Sequence, residues 1–226
     1  MKSTSARVVL CLVVLAFSVT ALAASKHGVV LTKNGRQAIA TRPSSKVTPY
    51  NARIDAGLTK IASNISKYPY AKYFCCYGWT LSGPNSGIGE QIWLATPFTP
   101  SANVTATKLE AAAGWFGGTN ALVLSIAEDS GGLPGNTLGS ATVDNLFDFG
   151  TCCTLDEGKL KPGVSLTAGT QYWFVMSTNN NDADFEGAWS INTTDDRENV
   201  YTLAVNSGSG WGTETTFLGG YAVLGH

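Results

Sequence analysis

The chain has 226 residues, of which 44% are hydrophobic and 14% charged, with 15 Lys and Arg against 16 Asp and Glu. Residues 24–72 carry nine basic side chains and one acidic one, whereas residues 73–226 carry four basic and fifteen acidic ones. This acidic body excludes nucleic acid as its partner, because neutralising phosphates requires a basic face.

Residues 1–23 have the pattern of a secretory signal peptide. Two basic residues precede an apolar run from Val8 to Val19, and Ala21-Leu22-Ala23 supplies the small residues of a cleavage site. The apolar run is 12 residues long, short of the roughly 20 that a membrane-spanning helix needs. We therefore expect cleavage after Ala23 and a secreted, extracellular protein that is not membrane-spanning after signal cleavage.

Residues 24–57 are predicted to form a basic, flexible linker, because they lack periodicity and contain prolines at turn-like positions. Such an arm suits contact with anionic polymers of a cell envelope, or folding back onto the acidic body. Within 52–66, apolar residues at helical spacing fit a short helix, although the alternation from Ile61 to Ile65 also fits a strand. The sequence leaves these two alternatives open.

Residues 58–226 are predicted to fold as one all-β domain. Short runs of β-branched and aromatic residues are separated by glycine-rich turns, and no long amphipathic helix intervenes. The predicted strands are 73–81, 92–98, 104–115, 122–127, 138–143, 163–166, 171–177, 188–192, 201–205 and 217–224. About ten short strands of this kind are typical of an antiparallel β-sandwich or jelly roll.

The stretch from Val164 to Met176 predicts a β-hairpin around which the other strands pack. Apolar and polar residues alternate up to Leu166, Ala168-Gly169 supplies a turn, and the arm that follows is apolar on both faces. A strand with two apolar faces is typical of the interior of a sheet that is covered on both sides.

Four segments carry a family resemblance: GWTLSG at 78–83, WLATPFTP at 93–100, FGTCC at 149–153 and LTAGTQYW at 166–173. They resemble segments of the secreted bacterial choice-of-anchor proteins, most closely the R type, over roughly residues 63–192. The resemblance implies a secreted or surface-associated β-sandwich and brings no catalytic residues with it. Residues 221–226 lack the hydrophobic tail and basic stop of an anchor, so we expect release rather than covalent anchoring.

Four cysteines after the predicted signal form two adjacent pairs, Cys75-Cys76 and Cys152-Cys153, which are expected to form disulfide bonds in an oxidising compartment. Adjacent Cα atoms lie about 3.8 Å apart, short of the roughly 4.4 to 6.8 Å that a relaxed disulfide spans. Bonds between the pairs are therefore favoured over a strained vicinal disulfide. A four-thiolate zinc site is also less favoured, because zinc-binding cysteines usually have two or more residues between them. Two parallel bridges require at least one pair to lie in a loop, because neighbours on a regular strand point to opposite faces.

Histidine is scarce: His27 lies in the predicted linker and His226 is the last residue. A Ser-His-Asp triad, a Cys-His dyad or a histidine zinc site is therefore not expected. Glycoside hydrolysis by two carboxylates needs no histidine. The candidate acids are Glu90, Glu110, Glu128 and Glu186, but their spacing singles out no pair, so surface carboxylates are the preferred interpretation.

An acidic loop offers a candidate calcium site. Asp182, Asp184 and Glu186 recur at every second residue before Gly187, as in the first half of a calcium-binding loop. Thr193 stands where that motif places a bidentate glutamate. A calcium ion held with help from another loop is one interpretation, and a polar hairpin loop is the other.

Two of the six tryptophans are candidate ligand-binding residues. Trp115 precedes Phe116-Gly117-Gly118 and Trp211 lies within a glycine-rich stretch, so either could stack on a sugar ring from an exposed loop. Trp173 lies in an apolar strand and is expected in the core.

Together these patterns predict a secreted, non-enzymatic β-sandwich with a flexible N-terminal arm, acting as a surface-associated or interaction module. Its expected partner is an extracellular polysaccharide or a cell-surface protein. A carbohydrate-binding module assisted by calcium is the first alternative, and a glycoside hydrolase that uses a carboxylate pair is the second.

Overall fold

The computed structural model describes residues 28–32, 35–41, 57–65, 73–151, 154–179, 183–192 and 201–226. These residues contain fifteen β-strands and no helix, which confirms the all-β class that the sequence predicts. The strands are β1 (Val29–Leu31), β2 (Gln37–Ala40), β3 (Thr59–Ser63), β4 (Tyr73–Ser82), β5 (Trp93–Phe98), β6 (Val104–Ala111), β7 (Ala113–Gly117), β8 (Ala121–Asp129), β9 (Pro134–Asp144), β10 (Asp156–Leu166), β11 (Tyr172–Ser177), β12 (Glu186–Asn192), β13 (Tyr201–Asn206), β14 (Trp211–Thr216) and β15 (Tyr221–Gly225). The predicted signal peptide lies outside the described residues. Within them, no helix is long and apolar enough to cross a membrane.

The strands form three antiparallel sheets. In the order of neighbouring strands, these are β1-β2-β4-β12-β7, β10-β6-β15-β3 and β14-β13-β5-β11-β8-β9. The five- and four-stranded sheets form one layer, because only Ala112 separates β6 from β7. The N–H of Ala112 donates to Gly220 O (2.8 Å), and its carbonyl accepts from the N–H of Ser190 (2.7 Å). The six-stranded sheet is the second layer, and the two layers make a β-sandwich.

The core between the layers is built around three aromatic rings, one from each sheet. The ring of Phe174 on β11 lies 5.0 Å from that of Tyr221 on β15 and 6.1 Å from that of Trp189 on β12. Tilted aromatic contacts at such distances contribute about 0.5–1.5 kcal/mol beyond the area that they bury. All residues of β11 from Tyr172 to Met176 are buried, which confirms that it is an interior strand.

A second, smaller core lies on the other face of the five-stranded sheet. It consists of Val29, Ala38, Ala40, Phe116, Phe149 and Ala188. Its first three members belong to β1 and β2, which lie inside the segment predicted as a flexible linker, so that interpretation is corrected for these residues. Alanine is depleted in strands and gives a weak alternating signal. Packing against two phenylalanines, rather than local preference, therefore holds β1 and β2 in the sheet.

β10 and β11 are not a hairpin, although the sequence predicts one across Ala168-Gly169. β10 pairs with β6 in the first layer, whereas β11 pairs with β5 and β8 in the second. The connection therefore crosses between layers, and Gly169 turns the chain with a φ of 74°, a conformation that favours glycine. Period-two patterning identifies a strand but not its neighbour, so the prediction of the strands is right and that of their pairing is wrong.

Other strand bounds also differ from the prediction. The run 104–115 is divided at Ala112 into β6 and β7, which belong to different sheets. The undecided segment 52–66 contains a strand, β3, in its described part. β14 is missing from the prediction because its sequence, WGTETT, is as polar as a loop.

Candidate functional site

The outer face of the six-stranded sheet, which points away from the main core, bears a row of three residues. Side chains alternate along a strand, and since Leu94 and Val205 belong to the main core, their neighbours Trp93 and Asn206 point outward. Trp93 of β5 is paired with Asn206 of β13, and Asn206 is paired with Trp211 of β14. We call these three residues the tryptophan row. Paired Cα atoms are about 4.5 to 5.5 Å apart, so the two tryptophan Cα atoms are separated by about 10 Å.

Hydrogen bonds fix the polar centre of the row. Asn206 Oδ1 accepts from Gln91 Nε2 (3.1 Å) and from the backbone N–H of Gly208 (2.9 Å). The amide NH2 group, the donor end of the side chain, therefore points away from these two contacts. The loop before Trp211 depends on glycine, because Gly208 and Gly210 have φ values of 89° and 116°. This loop sets the position of Trp211 on the edge strand.

Both tryptophans of the row are half-buried. Trp93 donates its indole N–H to Thr178 Oγ1 (3.2 Å). Trp211 packs against a small apolar cluster of the outer face, made of Ala95, Ala127, Trp173, Val175 and Ala204. Rings that are held in place before a ligand arrives lose little conformational entropy on binding.

The centre of the outer face of the six-stranded sheet is buried. Trp173 is 1% exposed, which confirms that it is a buried residue. Its indole N–H donates to Asp129 Oδ1 (2.8 Å). This bond, together with those from Gly132 and Gln171, holds the pKa of Asp129 below its ordinary value. Exposed indole surface on this face is therefore supplied by Trp93 and Trp211.

Trp115, the other predicted sugar-contacting residue, lies on β7 in the first layer. It is partly buried against the main core, and its indole N–H donates to Gly118 O (3.1 Å). These surroundings favour ordinary packing. Because Trp115 and Trp211 belong to different layers, the structure does not combine them in one site.

In the candidate calcium loop, the described carboxylates accept bonds from two different loops. Asp184 Oδ1 accepts from the N–H of Thr119 (3.2 Å), and bonds from the side chain and backbone of Thr119 hold the pKa of Asp184 below its ordinary value. Glu186 Oε1 accepts from the N–H of Gly87 (2.5 Å). Asp182 lies outside the described residues. Within the described ranges no group of three or more His, Cys, Asp or Glu side chains could hold a metal ion, and calcium binding stays a prediction.

Residues that flank the two cysteine pairs are in contact. The hydroxyl of Tyr73, at the start of β4, donates to Thr154 O (2.7 Å) and lies 3.5 Å from Thr151 O. These two threonines precede and follow Cys152-Cys153 in the sequence. The side chain of Cys76 packs against the second core. The side chain of Cys75 and both Cys152 and Cys153 lie outside what the structure describes. No disulfide joins two described side chains, and bonds between the pairs stay a prediction that this proximity supports.

The glutamates considered for glycoside hydrolysis lie on separate elements. Glu110 on β6 is buried and lies 2.9 Å from Lys108 Nζ. Glu128 on β8 accepts from Asn136 Nδ2 (2.5 Å), Glu186 is held by the loop before β5, and Glu90 is exposed in that loop. Glu110 is engaged by a buried lysine and Glu128 and Glu186 each accept a hydrogen bond, and the glycoside hydrolase alternative stays a prediction.

No protein-family model matches the chain, and no curated protein matches it. The resemblance to choice-of-anchor proteins therefore stays a prediction from the four sequence segments, and function has to be inferred from the geometry of the site.

Proposed function

We propose that the chain is a secreted, non-enzymatic β-sandwich that binds extracellular polysaccharide through the tryptophan row. One observation supports this function above the others. The Cα atoms of two half-buried tryptophans lie about 10 Å apart on either side of Asn206, whose side-chain oxygen already accepts a hydrogen bond from Gln91. The secreted location rests on the pattern of residues 1–23. The non-enzymatic assignment rests on the scarcity of histidine, which disfavours triads, dyads and histidine zinc sites, and on a sequence that singles out no pair of carboxylates for glycoside hydrolysis.

The chemistry of the row suits an extended sugar chain. An indole presents a flat apolar surface against which the C–H face of a sugar ring can stack. The amide NH2 group of Asn206, between the two rings, can donate hydrogen bonds to sugar hydroxyls. A polysaccharide laid across β5, β13 and β14 would contact both rings at once, and binding sites of this kind combine apolar surface with a few placed polar groups.

The test measures depletion of the purified mature protein by insoluble polysaccharides, and titration calorimetry with soluble ones, with calcium and with a chelator. Trp211→Ala should weaken binding about tenfold or more, because truncating an anchoring aromatic costs about 2 kcal/mol. Trp211→Phe should retain part of the affinity. Phe147→Ala is the matched control, because it also removes an exposed aromatic side chain: Phe147 is 42% exposed. Its backbone carbonyl accepts a hydrogen bond from the N–H of Trp115, so it lies beside the first layer and not in the tryptophan row.

Each outcome separates the alternatives. Equal binding by the wild type and Trp211→Ala would rule out the tryptophan row as the site. No binding to any polysaccharide would refute the proposed function and leave a cell-surface protein as the partner. Release of reducing ends would contradict the non-enzymatic assignment, and loss of binding with the chelator would indicate that calcium takes part.

A further inference from the structure

A second candidate site is a cleft between the residues that follow β1 and begin β2 and the edge strand β14. It has a volume of about 390 Å³ and is lined mainly by Thr32, Arg36, Gln37, Trp79, Glu214 and Thr216. Glu214 and Thr216 alternate with Trp211 along β14, so their side chains lie on the face opposite the tryptophan row, whereas Thr215, which also lines the cleft, lies on the same face as Trp211. We call it the Arg36 cleft. Its volume falls in the range of about 300–1,000 Å³ that is usual for small-molecule sites.

Hydrogen bonds from the body of the sandwich fix the walls of the Arg36 cleft. The carbonyl of Arg36 accepts from the N–H of Thr80 on β4 (2.8 Å), which ties Arg36 to the first layer. Trp79, also on β4, donates its indole N–H to Phe217 O (2.7 Å), directly after β14. Both walls are thus anchored to the same strand, and the cleft exists before a ligand enters.

The described lining residues are polar on opposite sides of the cleft, and their charged side chains are one arginine and one glutamate. Arg36 Nη1 lies 3.5 Å from Glu214 Oε2, and the two side chains are 44% and 37% exposed. An exposed ion pair of this kind contributes little to stability. Either side chain can therefore leave its partner and bind a ligand at a small cost in free energy. Gln37 Oε1 accepts the Tyr77 hydroxyl, which fixes the amide. Trp79, 7% exposed, supplies an apolar wall.

We infer that the Arg36 cleft binds a single neutral sugar ring. A guanidinium, a carboxylate, an amide and threonine hydroxyls around one indole match a ligand with several hydroxyls and one apolar face. A carboxylated ligand would meet Glu214, and a cationic one would meet Arg36, so the paired charges favour a neutral ring. The inference rests on the proposed function for its class of ligand, but it concerns a separate site.

The experiment titrates ¹⁵N-labelled mature protein with methyl glycosides of glucose, galactose and mannose, and follows the indole N–H signals by NMR. The Trp79 signal is identified by its loss in Trp79→Phe. We expect it to shift and saturate with at least one glycoside. Arg36→Ala and Glu214→Gln should each raise the dissociation constant about tenfold. Glu214→Gln keeps the shape of the side chain, and thermal melts of both variants check that folding is intact.

The outcomes distinguish the cleft from the row. No saturable Trp79 shift with any neutral glycoside, or an unchanged affinity in both variants, would overturn the inference. A shift with glucuronate or glucosamine alone would overturn it too, since the ligand would then be charged. A persistent Trp79 shift in Trp211→Ala, or in a protein that binds no polysaccharide, would support the cleft whether or not the tryptophan row is a site.

Discussion

The tryptophans differ in how much of each ring remains exposed and in the partner of each indole N–H. Trp189 is fully buried and donates to the carbonyl of Gly220 (2.9 Å). Trp93 donates to a threonine hydroxyl and remains half-buried on the outer face. The same side chain, an apolar body with one donor, therefore serves as core in one layer and as candidate binding surface in the other.

Asp156, the first residue of β10, is a buried carboxyl in surroundings that oppose its charge. It is 6% exposed, and its Oδ2 atom has no hydrogen-bond partner among the residues that the structure describes. Burial, with a smaller contribution from Glu157, raises its pKa to about 8. An unfolded aspartate has a pKa of about 3.9, so between these values the folded protein binds more protons than the unfolded one. The stability contributed by this group is therefore complete below about pH 4 and is lost as the pH rises through 8.

Asp156→Asn replaces this carboxyl by a neutral group of the same shape. We expect the variant to exceed the wild type in free energy of unfolding at pH 8 by on the order of 5 kcal/mol, because about four pKa units at about 1.4 kcal/mol each separate the folded from the unfolded carboxyl. The difference should vanish near pH 4. Urea denaturation at both pH values measures it. Asp144→Asn, at an exposed position of β9, is the control. Parallel pH dependence in the wild type and Asp156→Asn would contradict the assignment.

At the scale of strands, a cluster of charged side chains connects β6 to β10, in addition to the backbone hydrogen bonds between these two strands. Lys108 Nζ lies 2.9 Å from carboxylate oxygens of both Glu110 and Glu157. The side chains of Lys108 and Glu110 are only 2% and 1% exposed. Burial acts to lower the pKa of Lys108, but the hydrogen bonds to Glu110 and Glu157 outweigh it and raise the pKa above its ordinary value. The lysine therefore remains charged in the sheet.

Lys108→Met keeps the length of the side chain and removes its charge. We expect the free energy of unfolding to fall by about 3–5 kcal/mol, because the carboxylate of Glu110, only 1% exposed, loses the cation that lies 2.9 Å from it. Combining it with Glu110→Leu should recover most of that loss, since the penalty of burying both ions disappears with them. Urea denaturation of the single and double variants measures both free energies of unfolding. A double variant that is no more stable than Lys108→Met would contradict this account.

Sequence patterns predict elements better than they predict neighbours. β11 is predicted correctly because its residues favour strands and are apolar on both faces. The predicted pairing of β11 with β10 is wrong, because alternation of apolar and polar residues does not specify a partner strand. β1 and β2 are missed because Ala38 and Ala40 give little signal, although their burial against Phe149 is complete or nearly so. Tertiary packing overrides local preference at these strands.

The same limit applies to the candidate site. Trp211 is found from the sequence because glycines mark the loop before it. Trp93 and Asn206 are missed, because they join Trp211 only through the pairing of β5, β13 and β14, which no local pattern encodes. One signal was available: Ile92 and Leu94 are apolar core positions, so their alternation leaves Trp93 on the opposite face.

At the scale of the whole molecule, the residues that flank the two cysteine pairs bring distant parts of the chain into contact. β4 belongs to the first layer, and the segment that contains Cys152-Cys153 connects β9 of the second layer to β10 of the first. The ladder between β4 and β12 is irregular there, because Ser190 is paired with Gly78 while Ile191 is paired with Phe74. The intervening residues of β4, which include Cys75-Cys76, thus leave the regular ladder. Two parallel bridges require one pair to lie outside a regular strand, and this irregularity of the ladder supports that prediction.

We therefore expect Cys75-Cys76 to be bonded to Cys152-Cys153 in the secreted protein. Such a bridge closes a loop of about 77 residues, worth about 4–5 kcal/mol in the chain-entropy model, so reduction should lower the melting temperature markedly. Mass spectrometry of a non-reduced digest should find one species that contains both segments and separates on reduction. Alkylation in denaturant without reductant should leave the mass unchanged, and labelling of all four thiols would refute the bonds. Two unlinked peptides, each lighter by two hydrogens, would instead place the bonds within the pairs and contradict the expected connectivity.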